Sequence, residues 1–208
     1  SEIGRLAGVE ATDWSWGALF VDMDNDGLKD IFVANGIYQD LTDQDFLNFI
    51  ANEDTRSTII SRGGVDFKKL VEVIPSNPIP NYAFRNNGDL TFTNQAEAWG
   101  LAEPGFSNGS AYGDLDNDGD LDLVINNVNM PAFVYRSEVR RQHPDRHYLQ
   151  LELTGEGKNT QALGAKLTVH SGGETLFLEH MPMRGFQSSI DYRPHFGLGE
   201  RTSVDTLV

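Results

Sequence analysis

One short acidic stretch decides the fold of this chain: Asp22-Met-Asp24-Asn-Asp26-Gly27-Leu-Lys-Asp30. The same stretch returns 92 residues later as Asp114-Leu-Asp116-Asn-Asp118-Gly119-Asp-Leu-Asp122. Both copies have the pattern D-x-D-N-D-G-x-x-D, and both lie between apolar segments rich in strand-forming residues. Two copies of one loop in the same setting indicate a repeated β unit.

The spacing of the acids in each copy is typical of a calcium-binding loop. Ca²⁺ takes about six to eight oxygen ligands. Carboxylates at positions 1, 3 and 5 can turn inward, glycine at position 6 permits the sharp turn, position 7 offers its backbone carbonyl, and the acid at position 9 closes the cage. The predicted ligands of one ion are Asp22, Asp24, Asp26, Leu28 and Asp30, and those of the other are Asp114, Asp116, Asp118, Asp120 and Asp122.

The loops differ from an EF-hand, which places a bidentate Glu at position 12 and continues into a helix. Position 12 is Val33 in the first copy and Ile125 in the second, within short β-branched segments that favour strands. The alternative is a solvated acidic turn, because Asp, Asn and Gly are ordinary turn residues. Four acids within nine residues repel one another unless a cation neutralises them, so we expect β-loop-β metal hairpins.

The repeat extends on both sides of the loop without a gap. Residues 14–20 align with residues 106–112, and residues 31–35 align with residues 123–127. A further pair of strands is predicted for Tyr82–Phe92, joined by a turn at Asn87-Gly88. Its counterpart after the second loop is Pro131–Arg136.

Residues 37–80 form an insertion that the second repeat lacks. Thr42–Ala51 is predicted to be a helix with Thr42 as its N-cap, and Asp66–Ile74 a second helix ended by Pro75. The insertion is interpreted either as a packing lid on the blade edge or as a specificity loop on a binding face.

The character of the chain changes after residue 146. His147–Thr154 alternates apolar and polar residues, and residues 165–179 read as a hairpin turning at Ser171-Gly-Gly. The segments RGFQSS (residues 184–189) and HFGLG (residues 195–199) follow. The Arg-rich segment 136–146 is interpreted as a solvated linker, with a basic ligand patch as the alternative.

The acidic loops and the segment FRNNGDLTF resemble the FG-GAP/VCBS repeats of calcium-binding β-propellers, and more narrowly the blades of cartilage acidic protein-like proteins. Residues 147–208, with LGAKL, RGFQSS and HFGLG, resemble the ASPIC/UnbV domain. The resemblance implies a mainly β fold: a partial β-propeller of about two FG-GAP-type blades with a short helical insertion, plus a small C-terminal β-sandwich-like domain. The expected domains are 1–140, with the insertion 37–80, and 147–208.

The resemblance also implies that other parts of the protein complete the fold. Complete propellers of this kind have about seven blades, so we expect missing blades as partners of these two. The chain is expected to start within a propeller, since it begins at Ser1 without Met, and the C-terminal domain is expected to continue past Val208.

Composition limits the function further. The net charge is −15, and the loops supply nine of the 31 acids, so two Ca²⁺ would leave −11. Such a surface disfavours nucleic acid binding. The sequence has no Cys and no apolar run long enough to span a membrane. Loops of this kind suit millimolar extracellular Ca²⁺, so we expect a secreted or cell-surface protein.

Catalytic motifs are weak. Gly105-Phe-Ser107-Asn-Gly109 fits G-x-S-x-G, but a nucleophile elbow must open a helix, whereas Ser107 precedes the loop and aligns with Ser15. The five His residues show no metal-ligand spacing, and His195 is interpreted as a packed or capping residue. No catalytic residue is assigned.

We therefore expect a noncatalytic calcium-binding protein that recognises or adheres to a glycan or protein ligand. One alternative is a fragment of an extracellular polysaccharide-acting enzyme, with its active site in the missing blades or the insertion. The other alternative is a scaffold that presents the C-terminal domain.

Overall fold

The computed structural model describes residues 2–53 and 71–208, and it is mainly β. Its strands form four antiparallel sheets in the described part of the chain. A short helix α1 (Gly4–Ala7) precedes the first sheet. No helix within the two described ranges combines the length and apolar character needed to cross a membrane.

The first sheet is a four-stranded meander, as expected for a propeller blade. Its outer-facing and core-facing residues alternate along the first strand, where Leu19 and Val21 are buried and Phe20 is exposed. The strands pair in chain order: β1 (Ser15–Val21), β2 (Asp30–Asn35), β3 (Tyr82–Asn86) and β4 (Phe92–Asn94).

The second sheet repeats the first three strands at the same register. It contains β5 (Ser107–Gly113), β6 (Asp122–Asn127) and β7 (Phe133–Tyr135) in that order. Val21 pairs with Asp30 in the first blade, as Gly113 pairs with Asp122 in the second. Both hairpins also contain a register shift at equivalent places, between Ser15 and Ala18 in β1 and between Ser107 and Ser110 in β5. The 92-residue offset is therefore a structural repeat as well as a sequence repeat.

The hairpin β3–β4 was predicted correctly, but its turn is longer than the predicted two-residue Asn87-Gly88 turn. Residues 87–91 connect the strands, and the Asn87 N–H closes the loop on the Thr91 carbonyl at 3.0 Å. The Asp89 side chain accepts hydrogen bonds from the N–H and the hydroxyl of Thr91, which stabilises the wider loop.

The first helix of the insertion is confirmed as α2 (Gln44–Ala51), but the predicted N-cap was wrong. Asp43 caps the helix by accepting a hydrogen bond from the Phe46 N–H at 2.8 Å. Thr42 instead donates to Asp40 through its N–H and hydroxyl. Of the second predicted helix, residues 66–70 lie outside the described residues, while residues 71 and 72 are helical.

The two blades share one hydrophobic core. Because β1 packs against β5, side chains from the inner strands of both blades meet there. The buried members of this core are Leu19, Val21, Phe32, Ala34, Ala83, Ala96, Leu101, Leu121, Leu123 and Ile125.

The C-terminal part forms two small sheets around a second core, which agrees with the predicted sandwich-like domain. Leu167 and Val169 from one sheet pack with Phe196 and Leu198 from the other. The sheets contain β8 (His147–Gln150) with β11 (His195–Gly199), and β9 (Lys166–Ser171) with β10 (Glu174–Glu179) and β12 (Thr206–Leu207). Within the connecting segment 136–146 lies a helical turn, α3 (Val139–Gln142).

Candidate metal centres

Each acidic loop joins two antiparallel strands of one blade and turns at the same two positions. Position 4 has a left-handed backbone, with φ of 57° at Asn25 and 59° at Asn117. Position 6 has φ of 94° at Gly27 and 92° at Gly119, where a side chain would be strained. The predicted β-loop-β hairpin and the need for glycine at position 6 are therefore both seen in the structure.

The structure brings together the carboxylates of positions 1, 3 and 9 in both loops. In the first loop, oxygens of Asp22, Asp24 and Asp30 all lie within 4.8 Å of one another. In the second loop, oxygens of Asp114, Asp116 and Asp122 meet the same criterion. Each of the two clusters could hold a metal ion.

The other predicted ligands lie outside these clusters. At position 5, Asp26 and Asp118 accept hydrogen bonds from the N–H of position 7, at 2.8 Å from Leu28 and 2.9 Å from Asp120. The side chain of Asp120 is buried, while Leu28 is exposed. The assignment of position 5 carboxylates and position 7 carbonyls as ligands stays a prediction.

Backbone hydrogen bonds hold the position 1 carboxylate of each cluster in place. Asp22 accepts from the N–H groups of Asp26 and Gly27 at 3.1 and 3.0 Å, and the equivalent bonds to Asp114 are 3.0 and 3.2 Å long. Each carboxylate oxygen has two lone pairs, so these bonds orient the group and leave it able to bind a cation.

Burial in the first cluster disfavours the charged forms of Asp22 and Asp30 when no cation is bound. Removal from water raises the pKa of Asp22 to about 7, with nearby acids adding to the rise. Burial likewise raises the pKa of Asp30 to about 7. Burial also acts on Asp24, but hydrogen bonds from Arg146 and Arg85 outweigh it and lower the Asp24 pKa. A bound cation would favour the charged form of all three groups.

Two arginines contact one oxygen of Asp24 and leave the other without a partner. Arg85 Nε and Arg146 Nη1 lie 2.9 and 2.8 Å from Asp24 Oδ2. Asp24 Oδ1 is buried and has no hydrogen-bond partner among the described residues. A buried carboxylate oxygen is costly to leave unpaired, and this one lies beside two further carboxylates, so the donor set fits a hard cation.

The segment 136–146 is largely exposed, as the solvated-linker interpretation predicted, but two of its arginines contact the acidic loops. Besides the Arg146 contact, Arg140 donates its backbone N–H to Asp120 Oδ2 at 2.8 Å and its side chain to the Asp118 carbonyl. The segment therefore contacts both acidic loops. The sequence contained a signal for this, since four arginines in one short segment have nine loop acids as possible partners.

Two family models match the chain. One described as FG-GAP-like repeat matches residues 50–125, which include the second acidic loop, and one described as ASPIC and UnbV matches residues 155–208. The chain carries FG-GAP-like repeats followed by an ASPIC and UnbV domain. A search of curated proteins gave no match. Neither domain is a typical catalytic domain, and the pair suggests an extracellular repeat protein.

The ASPIC/UnbV domain contacts the position 4 asparagine of both repeat loops. His195 Nε2 lies 2.8 Å from Asn25 Oδ1, and Arg193 donates to Asn117 Oδ1, also at 2.8 Å. Asn25 also donates to the second loop, reaching the Gly119 carbonyl at 3.3 Å. The two acidic loops and the C-terminal domain thus meet at one point.

His195 is a packed residue, as predicted. It is buried and stacks on Tyr148 with ring centroids 5.4 Å apart and planes 9° from parallel. Burial lowers its pKa to about 4, so the ring is neutral at physiological pH.

Ser107 is structural, in agreement with the sequence analysis. Its side chain is fully buried in β5 and donates to Asn127 Oδ1 at 2.8 Å. The chain continues as a strand beyond Ser107, so no nucleophile elbow forms.

The RGFQSS segment of the ASPIC/UnbV domain packs on glycines that are equivalent in the two repeats. A Cβ atom at Gly17 would lie 2.8 Å from the Phe186 nitrogen, and one at Gly109 would lie 3.0 Å from Ser188 Oγ. This contact was not predicted from the sequence, although glycine at the same place in both repeats was a usable signal.

Proposed function

We propose that this chain is a noncatalytic calcium-binding part of a secreted or cell-surface protein that recognises a glycan or protein ligand. The observation that carries the calcium assignment is the pair of carboxylate clusters, each with three acids within 4.8 Å. The proposed ligands of the two ions are the side chains of Asp22, Asp24, Asp26 and Asp30 with the Leu28 carbonyl, and those of Asp114, Asp116, Asp118 and Asp122 with the Asp120 carbonyl.

Calcium is favoured over other metals by the chemistry of the donors. The clusters offer only oxygen, which suits Mg²⁺ and Ca²⁺ better than Zn²⁺ or Cu²⁺. Ca²⁺ accepts about six to eight ligands in irregular geometry, whereas Mg²⁺ requires a near-octahedral site and retains several waters. A loop with several carboxylates and a backbone carbonyl supports the larger ion.

The noncatalytic assignment rests on the hydrogen bonds made by the two best catalytic candidates, Ser107 and His195. The Ser107 hydroxyl is buried and bonded to Asn127, and the His195 Nε2 is paired with Asn25. Neither group is free to act on a substrate. The polysaccharide-acting alternative would therefore need a site elsewhere in the protein.

A scaffold function is the second candidate, because the ASPIC/UnbV domain rests on both acidic loops. In that case the blades and their ions would hold the C-terminal domain in one orientation for a protein partner. A stable protein partner in pull-downs, together with a glycan array that contains no binder, would favour it over glycan recognition.

Thermal unfolding tests the calcium assignment. We expect millimolar Ca²⁺ to raise the melting temperature relative to EGTA, because an ion that binds the folded state stabilises it. Mg²⁺ at the same concentration should have a smaller effect. Asp24→Asn and Asp116→Asn should each reduce the calcium-dependent shift, while Asp45→Asn in α2, away from the loops, should keep it. Identical melting curves in Ca²⁺ and EGTA would overturn the assignment.

A further inference from the structure

The side chain of Asn25 links the two acidic loops directly. Asn25 is position 4 of the first loop and is only 2% exposed. Its Nδ2 donates to the Gly119 carbonyl at 3.3 Å and to Asp120 Oδ1 at 3.2 Å, both in the second loop. Its Oδ1 lies 2.8 Å from His195 Nε2. The amide uses its oxygen and both of its N–H groups, so these bonds hold the buried side chain in one orientation.

In the second loop, Asn25 binds the peptide group that orients a proposed calcium ligand. The Gly119 carbonyl and the Asp120 N–H belong to one peptide group, which is planar. Asn25 donates to that carbonyl, and the N–H on the other side donates to Asp118 Oδ1 at 2.9 Å. A shift of Asn25 would therefore tilt this peptide group and move the Asp118 carboxylate.

In the first loop, the backbone of Asn25 is fixed between two further proposed ligands, Asp24 and Asp26. The N–H of Asp26 donates to Asp22 Oδ1 at 3.1 Å, and the Asn25 carbonyl accepts from the Gly199 N–H at 2.9 Å. An ion in the first loop would draw the neighbouring carboxylates towards one point. It would thereby fix the Asn25 backbone and the side chain that reaches the second loop.

Asn117 occupies the equivalent place in the second loop and makes no such link. The two residues have nearly the same backbone, with φ of 57° at Asn25 and 59° at Asn117. Asn117 is exposed, and its side chain accepts a hydrogen bond from Arg193 Nη1 at 2.8 Å. Within the described residues it has no hydrogen bond to the first loop. The repeat itself therefore does not require the link that Asn25 makes.

We propose that Asn25 is a positioning residue that couples the two calcium sites, so that an ion in either loop raises the calcium affinity of the other. An ion in one loop orders Asn25 and the hydrogen bonds that it shares with the other loop, which leaves less to be ordered by the second ion. The effect is reciprocal, because a coupling between two binding equilibria acts equally in both directions. The inference rests on the proposed calcium binding and adds how the two sites act together.

Charge acts against this coupling and gives it a distinguishable sign. An ion in one loop makes the potential at the other loop less negative, which weakens the attraction for the second ion. The screening length falls from about 8 Å at physiological ionic strength to about 3 Å in 1 M salt. Coupling by charge alone is therefore negative and fades in KCl, whereas coupling through Asn25 should be positive in 1 M KCl.

Calcium calorimetry in 1 M KCl measures the coupling factor. The Asp116→Asn chain gives the affinity of the first site alone, the Asp24→Asn chain gives that of the second site alone, and the wild type gives both together. We expect the wild type to exceed two independent sites with those affinities by a coupling factor of about five or more. A factor of about one or below would overturn the proposal.

Asn25→Gly is the decisive variant because glycine accepts the left-handed backbone and removes only the side chain. When the single-site affinities are measured in the same background, the coupling factor should fall to about one, the value for sites without coupling. Asn117→Gly is the matched control and should keep the wild-type factor. A change in the affinity of one site cancels, because the factor is a ratio. Equal factors in the two backgrounds would contradict the role of Asn25.

A second measurement does not depend on the folding of Asn25→Gly. In the Asp24→Asn chain only the second loop keeps its full set of proposed ligands, and NMR can follow the side-chain amide of Asn25 in the first loop. We expect calcium to shift this amide signal as the second loop fills. An Asn25 signal that does not respond to saturating calcium would overturn the proposal.

Failure of this inference is separable from failure of the calcium assignment. Two calcium ions that bind independently of each other would remove only the coupling. A folded wild-type chain that binds no calcium in the calorimeter would remove the calcium assignment and the coupling with it.

Discussion

The backbone of Gly197 lies directly against the carboxylate of Asp22. A Cβ atom at Gly197 would overlap Asp22 Oδ2 and would lie 2.8 Å from the Asn25 Cα. This contact links the HFGLG segment of the ASPIC/UnbV domain to position 1 of the first acidic loop. Calcium binding by the first loop and the packing of the ASPIC/UnbV domain on that loop are therefore expected to depend on each other.

Gly197→Ala should weaken both calcium binding by the first loop and the packing of the ASPIC/UnbV domain. The added methyl group has to displace Asp22 or the domain, so we expect a loss of about 2–3 kcal/mol in stability and a weaker first calcium site. Calcium calorimetry and denaturant unfolding measure the two effects. Gly157→Ala is the control, since a Cβ atom there meets nothing within 4 Å. It should cost some backbone strain at its positive φ and leave calcium affinity unchanged. Wild-type calcium binding in Gly197→Ala would contradict the coupling.

The two proposed calcium ions should leave the protein at different rates. Asp24 is 8% exposed and contacted by two arginines, whereas Asp116 is exposed and its nearest arginine, Arg136, lies 3.8 Å away. We expect the second loop to release its ion faster because solvent reaches it directly. Stopped-flow mixing with a fluorescent chelator should give two phases. Asp116→Asn should remove the fast phase and Asp24→Asn the slow phase, and a single phase in the wild type would argue against the difference.

Arg146→Gln should make the protein more dependent on calcium. Without calcium, loss of the guanidinium leaves Asp24 with one charged partner fewer, and we expect a loss of about 1–3 kcal/mol. With calcium bound, the ion neutralises Asp24 and the loss should shrink. The difference between the melting temperatures in Ca²⁺ and EGTA should therefore be larger than in the wild type.

The matched control for this variant is Arg141→Gln. Arg141 is exposed and pairs with Glu138 on the surface, so its removal should cost less than about 1 kcal/mol in either condition. A calcium-dependent shift in Arg146→Gln that equals the shift in Arg141→Gln would show that Arg146 does not share Asp24 with the ion.

His195 should give the fold a measurable acid sensitivity. Burial lowers its pKa from an ordinary 6.5 to about 4 in the folded protein. Between these values the unfolded chain binds the proton more readily, so the contribution of His195 to stability falls as the pH falls from about 6.5 towards 4, while the raised pKa values of Asp22 and Asp30 act in the opposite direction in the calcium-free protein. The full loss from this group is about 3 kcal/mol. In denaturant unfolding from pH 7 to 4.5, the wild type should therefore lose stability relative to His195→Gln, and a difference between the two proteins that stays constant with pH would contradict the assignment.

The sequence predicted the repeated hairpins well because their determinants are local. Acid spacing, the glycine at position 6 and the flanking β-branched residues all act within about a dozen positions. The same applies to α2, although its N-cap is Asp43 and not the predicted Thr42. The 92-residue offset extended this local information to the pairing register of both blades.

The long-range contacts were not predictable in the same way. Arg146 reaches Asp24 across 122 positions, and His195 reaches Asn25 across 170. Single-sequence patterns carry no distance information at such separations. The contacts of the arginine-rich segment with the acidic loops, and the packing of the ASPIC/UnbV domain on those loops, were therefore not predicted. Glycines that recur at one place of the repeat, such as Gly17 and Gly109, were the signal available in the sequence.

Calcium stoichiometry measured by equilibrium dialysis with metal analysis tests the central claim most directly. The two carboxylate clusters predict about two Ca²⁺ per chain in the wild type and about one in either Asp24→Asn or Asp116→Asn. Asp45→Asn should retain about two. A wild-type chain that retains no Ca²⁺ at millimolar concentration, while still folded, would contradict the account.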